Sequence, residues 1–282
     1  MIIAQSIGSG SAAVMGTFAD INAAYDPTTC YGKKFIVTDF GYPIEFVSNG
    51  VMLIPAGGHC TLAESGIGMG IMPSGTISTG ASGHFVSGTA FPYTYSSGQW
   101  MYIVSPSTTP ALTAGFYWCV FSNTTTCTIY TNGPGSAAYN FTVGAATTGS
   151  TSEVTARSVT IPAGLIGASG QLVCDSLASI SGTSSQKSVR SRLGGSALFL
   201  GSTSTNTQLS LFGKVITQNA TASVQYSNPI FSASTSGSTL TRTTVDTTAE
   251  ATYTLTLQMA SATDFLINHS FRLDLFNLGL TT

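Results

Sequence analysis

The chain has 282 residues, 43% of them hydrophobic and only 7% charged, with a formal net charge of -2. That length holds one large domain or two or three small ones without disulfide or metal staples. The charge balance leaves no basic surface for nucleic acid or anionic lipid, and 15 Phe, 11 Tyr and 2 Trp exclude the disordered class, which combines high net charge with few aromatics.

Met1-Ile2-Ile3-Ala4-Gln5 is not a basic stretch followed by a sustained apolar run, so no signal peptide is expected. No run of about 18 apolar residues occurs anywhere, so no membrane span is expected either. The one helical segment runs from Phe18 to Tyr25, with Thr17 as N-cap and Asp26-Pro27 as the stop. Strands follow at Lys34 to Asp39, Ile44 to Val47 and Val51 to Ile54, divided by the turns Phe40-Gly41-Tyr42-Pro43 and Ser48-Asn49-Gly50; together they predict a small N-terminal β-meander within residues 1–75. The stretch Gly66 to Gly75 lacks the Lys-Ser/Thr ending and the following helix of a phosphate-binding loop, and reads as a linker.

Residues 76–150 predict a middle antiparallel module from the aromatic and β-branched runs Trp100 to Val104, Ala114 to Phe121 and Thr126 to Tyr130. The polar segment Gly144 to Ser152 reads as a flexible linker. Residues 151–282 carry the clearest strand series: Val159 to Ile161, Gln171 to Ile180, Gln186 to Leu193, Gln208 to Gln218, Thr252 to Met259 and Phe265 to Phe276. Alternation puts Val189 and Leu193 on one face with Arg190 and Arg192 on the other, and sets His269, Phe271, Leu273 and Leu275 in one row. The fold class expected is all-β, ending in a jelly-roll-like β-sandwich.

The chemistry-bearing residues are sparse. Cys30, Cys60, Cys119, Cys127 and Cys174 form no CxxC and no Cys/His cluster. A hairpin joining Cys119 to Cys127 as a disulfide is one reading; five buried thiols in a reducing cytoplasm is the favoured one. His59, His84 and His269 have no triad context, and Asp39 with Glu45 is the one acidic pair on adjacent strands, best read as a surface hairpin pair. No catalytic, metal or cofactor residues are assigned, and the chain is read as a non-enzyme. Asn123, Asn140, Asn219 and Asn268 begin glycosylation sequons, read as unused without a secretory signal. The aromatic cluster with Tyr93, Tyr95 and Trp100 suits stacking on sugar rings, and it suits core packing or a subunit contact better.

Three stretches resemble one family. Thr160-Ile161-Pro162-Ala163-Gly164-Leu165-Ile166-Gly167, then Gly170-Gln171-Leu172, then Lys187-Ser188-Val189-Arg190-Ser191-Arg192-Leu193-Gly194-Gly195 resemble a motif series of tailed-bacteriophage virion proteins. Phe35-Ile36-Val37-Thr38-Asp39 with Val47-Ser48-Asn49-Gly50, and Ala114 to Val120 with Thr124-Thr125 and Ile129 to Asn132, resemble earlier modules of the same proteins. Two features depart from the pattern: Val51 stands where an aromatic is usual, and Gly66 to Gly98 matches nothing in it. The resemblance implies a structural component of a phage virion, assembled in the host bacterial cytoplasm. It implies a homotrimeric tail-fibre or appendage protein whose N-terminal module docks on other virion proteins; the alternatives are a head-fibre or capsid-decoration protein and a receptor-binding protein that attaches to host-surface glycan. No cofactor is implied. Arg190 and Arg192 are expected to pair with Asp175 or Asp274 as structural charges.

Overall fold

Short apolar and polar steps between turn residues favour strands over helices, and the computed structural model of this protein is accordingly mostly β. It describes residues 3–5, 13–80, 84–91, 94–104, 106–167, 170–181, 183–203, 208–218, 224–231 and 241–277; Tyr93 and Asn219 lie outside the described residues. The first sheet contains β1 (Ile3–Gln5), β2 (Ala13–Gly16), β3 (Lys34–Val37), β4 (Ile44–Ser48) and β5 (Leu53–Pro55) in that order. β3 to β5 are the expected meander. β2 runs parallel to β3, and a parallel pair needs a crossover, which the helix α1 (Phe18–Ala24) supplies.

The local chemistry of α1 follows the sequence. The Thr17 side chain accepts from Asp20 N at 3.1 Å, and Asp39 Oδ2 accepts from Phe18 N at 2.6 Å, so two N–H groups that a helix start leaves unpaired are satisfied. Phe18 and Ile21 are buried, with the Phe18 ring edge-on to Phe46 at 5.7 Å. Asp39 is thus a helix cap, and Glu45 pairs with Lys34 at 2.7 Å, so these two acids do not act together.

The next strands are β6 (His59–Ser65), β7 (Met69–Ile71), β8 (Gly75–Ile77), β9 (His84–Ser87), β10 (Gln99–Ile103), β11 (Gly115–Phe121), β12 (Thr126–Tyr130) and β13 (Ala145–Thr147). The C-terminal series comprises β14 (Val154–Ile161), β15 (Gln171–Ile180), β16 (Lys187–Leu193), β17 (Ser196–Thr203), β18 (Gln208–Gln218), β19 (Val224–Phe231), β20 (Thr241–Thr243), β21 (Ala251–Met259) and β22 (Leu266–Phe276). A thirteen-stranded sheet runs β13-β8-β9-β12-β11-β10-β7-β22-β15-β18-β19-β20, with β6 also paired to β22, and a four-stranded sheet runs β14-β21-β16-β17. The four-stranded sheet packs on the β22-β15 part of the large one as a sandwich: Val154, Val189, Leu193, Leu255 and Leu257 meet Leu172, Cys174, Leu273 and Leu275 in one buried cluster.

That cluster also contains Val14, Phe18, Phe35 and Phe46 of the first sheet. A second cluster joins Met72, Phe85, Met101, Cys119, Phe121 and Ile129 to Phe265 and Ile267 at the start of β22. Apolar packing and the β6–β22 and β7–β22 ladders therefore cross the module boundaries expected near residues 75 and 150.

Both glycine-rich stretches expected to be linkers are instead packed structure. Within Gly66 to Gly75, β7 lies between β10 and β22, and a Cβ on Gly70 would stand 2.7 Å from Ile267 Cγ1 and 2.8 Å from the Leu266 carbonyl oxygen. Within Gly144 to Ser152, β13 pairs with β8, Thr147 and Ser150 are buried, and a Cβ on Gly149 would stand 2.1 Å from the Ala262 carbonyl oxygen. Glycine serves here for close backbone approach rather than for freedom.

Candidate functional site

The aromatic face of the middle module is the first candidate built by the fold. Trp100, Trp118 and Tyr130 fall in register across β10, β11 and β12, and Tyr102 stands opposite Phe116 in the next row. Alternation sends the other side chains of these strands, Met101, Ile103, Cys119, Phe121, Cys127 and Ile129, into the second core. The rings that face the other way are largely covered. Trp118 is 6% exposed, and a Cβ on Gly98, whose φ is +82, would stand 2.5 Å from its indole. Gly133 lies against Trp100 in the same manner, at 3.2 Å, while Tyr102 and Phe116 pack on the sandwich core. The Trp100 and Trp118 rings meet edge to face at 5.6 Å, a geometry of packing between themselves.

Tyr95, grouped with Trp100 from sequence, is on the other side. It packs edge-on to Phe91 and Phe121 and stacks on His269 at 5.6 Å. The structure does not bring Tyr95 and Trp100 onto one surface. The core-packing reading of this cluster is the one the geometry favours.

His269 departs from the row expected of it. Leu177 pairs with Ser270 and Ala178 with Asn268, so His269 is the extra residue of a β-bulge. The bulge turns it towards Tyr95 and Ser179, whose Oγ is 2.5 Å from His269 Nε2, while Phe271, Leu273 and Leu275 remain in the sandwich core. Burial holds the imidazole below its ordinary range, favouring the neutral ring. A Ser–His contact resembles half of a nucleophilic pair. No carboxylate is recorded against the second ring nitrogen among the described residues, so the contact reads as a satisfied buried hydrogen bond.

The remaining titratable groups are structural in their contacts. His59 opens β6, stacks on Phe276 at 4.4 Å and lies 3.5 Å from Asp274 Oδ1, which also accepts from Arg272 and Thr61. His84 opens β9 on the exposed side. Arg190 and Arg192 do not pair with Asp175 or Asp274. Both converge on Glu153: Arg190 Nη1 donates to Oε2 at 2.7 Å, and Arg192 donates through Nε and Nη2 at 3.0 Å each. Thr256 adds a fourth donor at 2.5 Å. The Arg192 hydrogen bonds are the chief reason that the Glu153 carboxyl falls to about 2. Sequence alternation found the face that carries the arginines; it missed the partner, which sits just before β14 and is brought there by the β14–β21–β16 pairing.

All five cysteines are free thiols. Cys119 and Cys127 are adjacent on the buried face of β11 and β12, and burial followed by hydrogen bonding to Cys127 raises the Cys119 thiol well above its usual value. Burial also pushes Cys60 and Cys174 up to about 12. Thiolate is the reactive species. Native protein is accordingly expected to react quickly with a bulky maleimide at Cys30 alone, and at all five thiols after denaturation; rapid native labelling at Cys119 or Cys127 would contradict the packing.

No family model, curated protein or solved structure matches this chain. Among the described residues, no three His, Cys, Asp or Glu side chains group as a metal site, and no helix is long and apolar enough to cross a membrane. The chain therefore stands on its own geometry.

Proposed function

We propose that this chain is a structural component of a bacteriophage virion, a trimeric fibre or appendage protein that docks on the particle and projects from it. The observation that carries the reading is continuity: β6 and β7 of the N-terminal third pair with β22 near the C-terminus, and the strands of the middle module extend the same sheet. A load applied to one end of such a chain is borne by ladders of backbone hydrogen bonds instead of by flexible joints. The low charge and the order of the three motif stretches support the same reading, because a surface with few charges suits burial against copies and neighbouring subunits better than life as a free monomer.

Trimerisation is tested by sedimentation equilibrium at micromolar concentration. A mass three times that of the 29.0 kDa chain is expected, and a monomer at that concentration would remove the fibre reading. Position and copy number in an imaged particle then separate the variants of the proposal. A few copies on an axis indicate an appendage, shell-wide copies indicate capsid decoration, and absence from purified particles refutes all of them. Host-glycan binding finds little support in the covered rings of Trp100 and Trp118.

A further inference from the structure

A lysine and an aspartate are completely enclosed at one end of the sandwich. Lys187 is the first residue of β16, and Asp264 lies in the turn between β21 and β22; both side chains are 0% exposed. Lys187 Nζ stands 3.3 Å from Asp264 Oδ2, yet Oδ2 has no hydrogen-bond partner among the described residues. The ammonium points elsewhere, donating to the Thr183 hydroxyl at 2.5 Å and to the Thr183 carbonyl oxygen at 3.2 Å. The Thr183 hydroxyl in turn donates to Asp264 Oδ1 at 2.7 Å. One hydroxyl thus connects the nitrogen to one carboxylate oxygen, while the same nitrogen rests beside the other without bonding to it.

Hydrogen bonds tie the frame around the pair. Ser181 and Phe265 exchange hydrogen bonds, Ser181 N to Phe265 O at 3.1 Å and Phe265 N to Ser181 Oγ at 3.2 Å. Ala260 N donates to Gln186 O at 2.8 Å, so the turn carrying Thr183 and the turn carrying Asp264 are tied at both ends. Ser74 fixes the second turn further, by N and Oγ to Ala262 O at 2.7 and 2.9 Å. Two groups held against each other, with Nζ 3.3 Å from Oδ2 and bulk water shut out, have the proximity and desolvation that favour condensation of an amine with a carboxyl.

We propose that Lys187 and Asp264 join as an intramolecular isopeptide bond. Protons pass from Nζ through the Thr183 hydroxyl to Oδ1. The Nζ lone pair attacks Cγ, the Cγ–Oδ1 bond breaks, and Oδ1 leaves as water with two of the three ammonium protons; the third remains on the amide nitrogen, and Oδ2 becomes the amide oxygen. Charge and atoms balance without an oxidant or any further reactant. The bond clamps the start of β16 to the approach of β22, across the two turns that close this end of the sandwich. Thr183 acts as a positioning and relay residue.

The full chain, purified and weighed intact under denaturing conditions, is expected to be lighter than its sequence by one water. Trypsin is expected to leave Lys187 uncut and to release the peptide ending at Arg190 joined to the peptide between Arg242 and Arg272. In Lys187→Arg and Asp264→Ala the deficit disappears, and in Thr183→Val it accumulates more slowly. An intact mass equal to the sequence overturns the proposal, as does a deficit that survives in either variant. Should the variants fail to fold, the wild-type peptide map alone decides, because it either contains the joined peptides or does not. The outcome is independent of the virion reading.

Discussion

Gly149→Ala is expected to destabilise the chain by about 3 kcal/mol, read as a fall in the urea midpoint with an unchanged slope. A glycine in a flexible polar connector would do the opposite, since alanine restricts the unfolded chain and stabilises by a few tenths to about 1 kcal/mol. Here the new methyl group would stand 2.1 Å from the carbonyl oxygen of Ala262 and 3.1 Å from that of Met72, both backbone atoms without a rotamer to yield. The Ala262 oxygen is also held by two hydrogen bonds from Ser74, and Gly149 N itself donates to Ser74 Oγ at 3.1 Å. Relief therefore requires the whole junction to move. A midpoint equal to or above that of the parent would show that Gly144 to Ser152 is a free connector after all.

Glu153→Gln removes the charge on which Arg190 and Arg192 converge. At neutral pH the loss is expected to be about 1–2 kcal/mol, more than an isolated surface pair contributes because the contact is bidentate to one arginine and shared with a second. The sign of its pH dependence follows from the depressed carboxyl. In the folded chain Glu153 titrates at about 2, against 4.5 ordinarily, so its contribution is complete above the ordinary value and fades as pH falls towards 2. Denaturation curves of parent and variant should thus converge as pH falls from about 4.5 to 2, and high salt should narrow the gap at neutral pH. A gap that stays constant across that window would mean that the carboxylate does not carry the effect.

Local signals were reliable wherever local chemistry governs. Thr17 capping α1, the stop at Asp26-Pro27, and the alternation of Val189 and Leu193 against Arg190 and Arg192 all rest on contacts within a few residues, and the structure has each of them. Short strands flanked by glycine were not visible as strands. β7 and β13 have three residues each, too few for a period to emerge; Gly70 within β7 and Gly149 just beyond β13 are there because Ile267 and Ala262 leave no room for a side chain. His269 was assigned to the wrong company for a related reason. A single bulge residue resets the alternation, and the bulge arises from the register of β15 against β22.

By itself, then, the sequence determined the fold class and the chemical character of the surface: strand-forming periodicity, scarce helix signals and a low charge content are properties of composition and spacing. Tertiary structure decided which charges meet and which apparent linkers are packed. Glu153 reaches Arg192 across 39 positions, Asp264 reaches Lys187 across 77 (264 − 187), and β6 reaches β22 over a still longer span. Contacts of that range depend on strand order and register, which are set by the summed packing of the cores, so no short window of residues contains them.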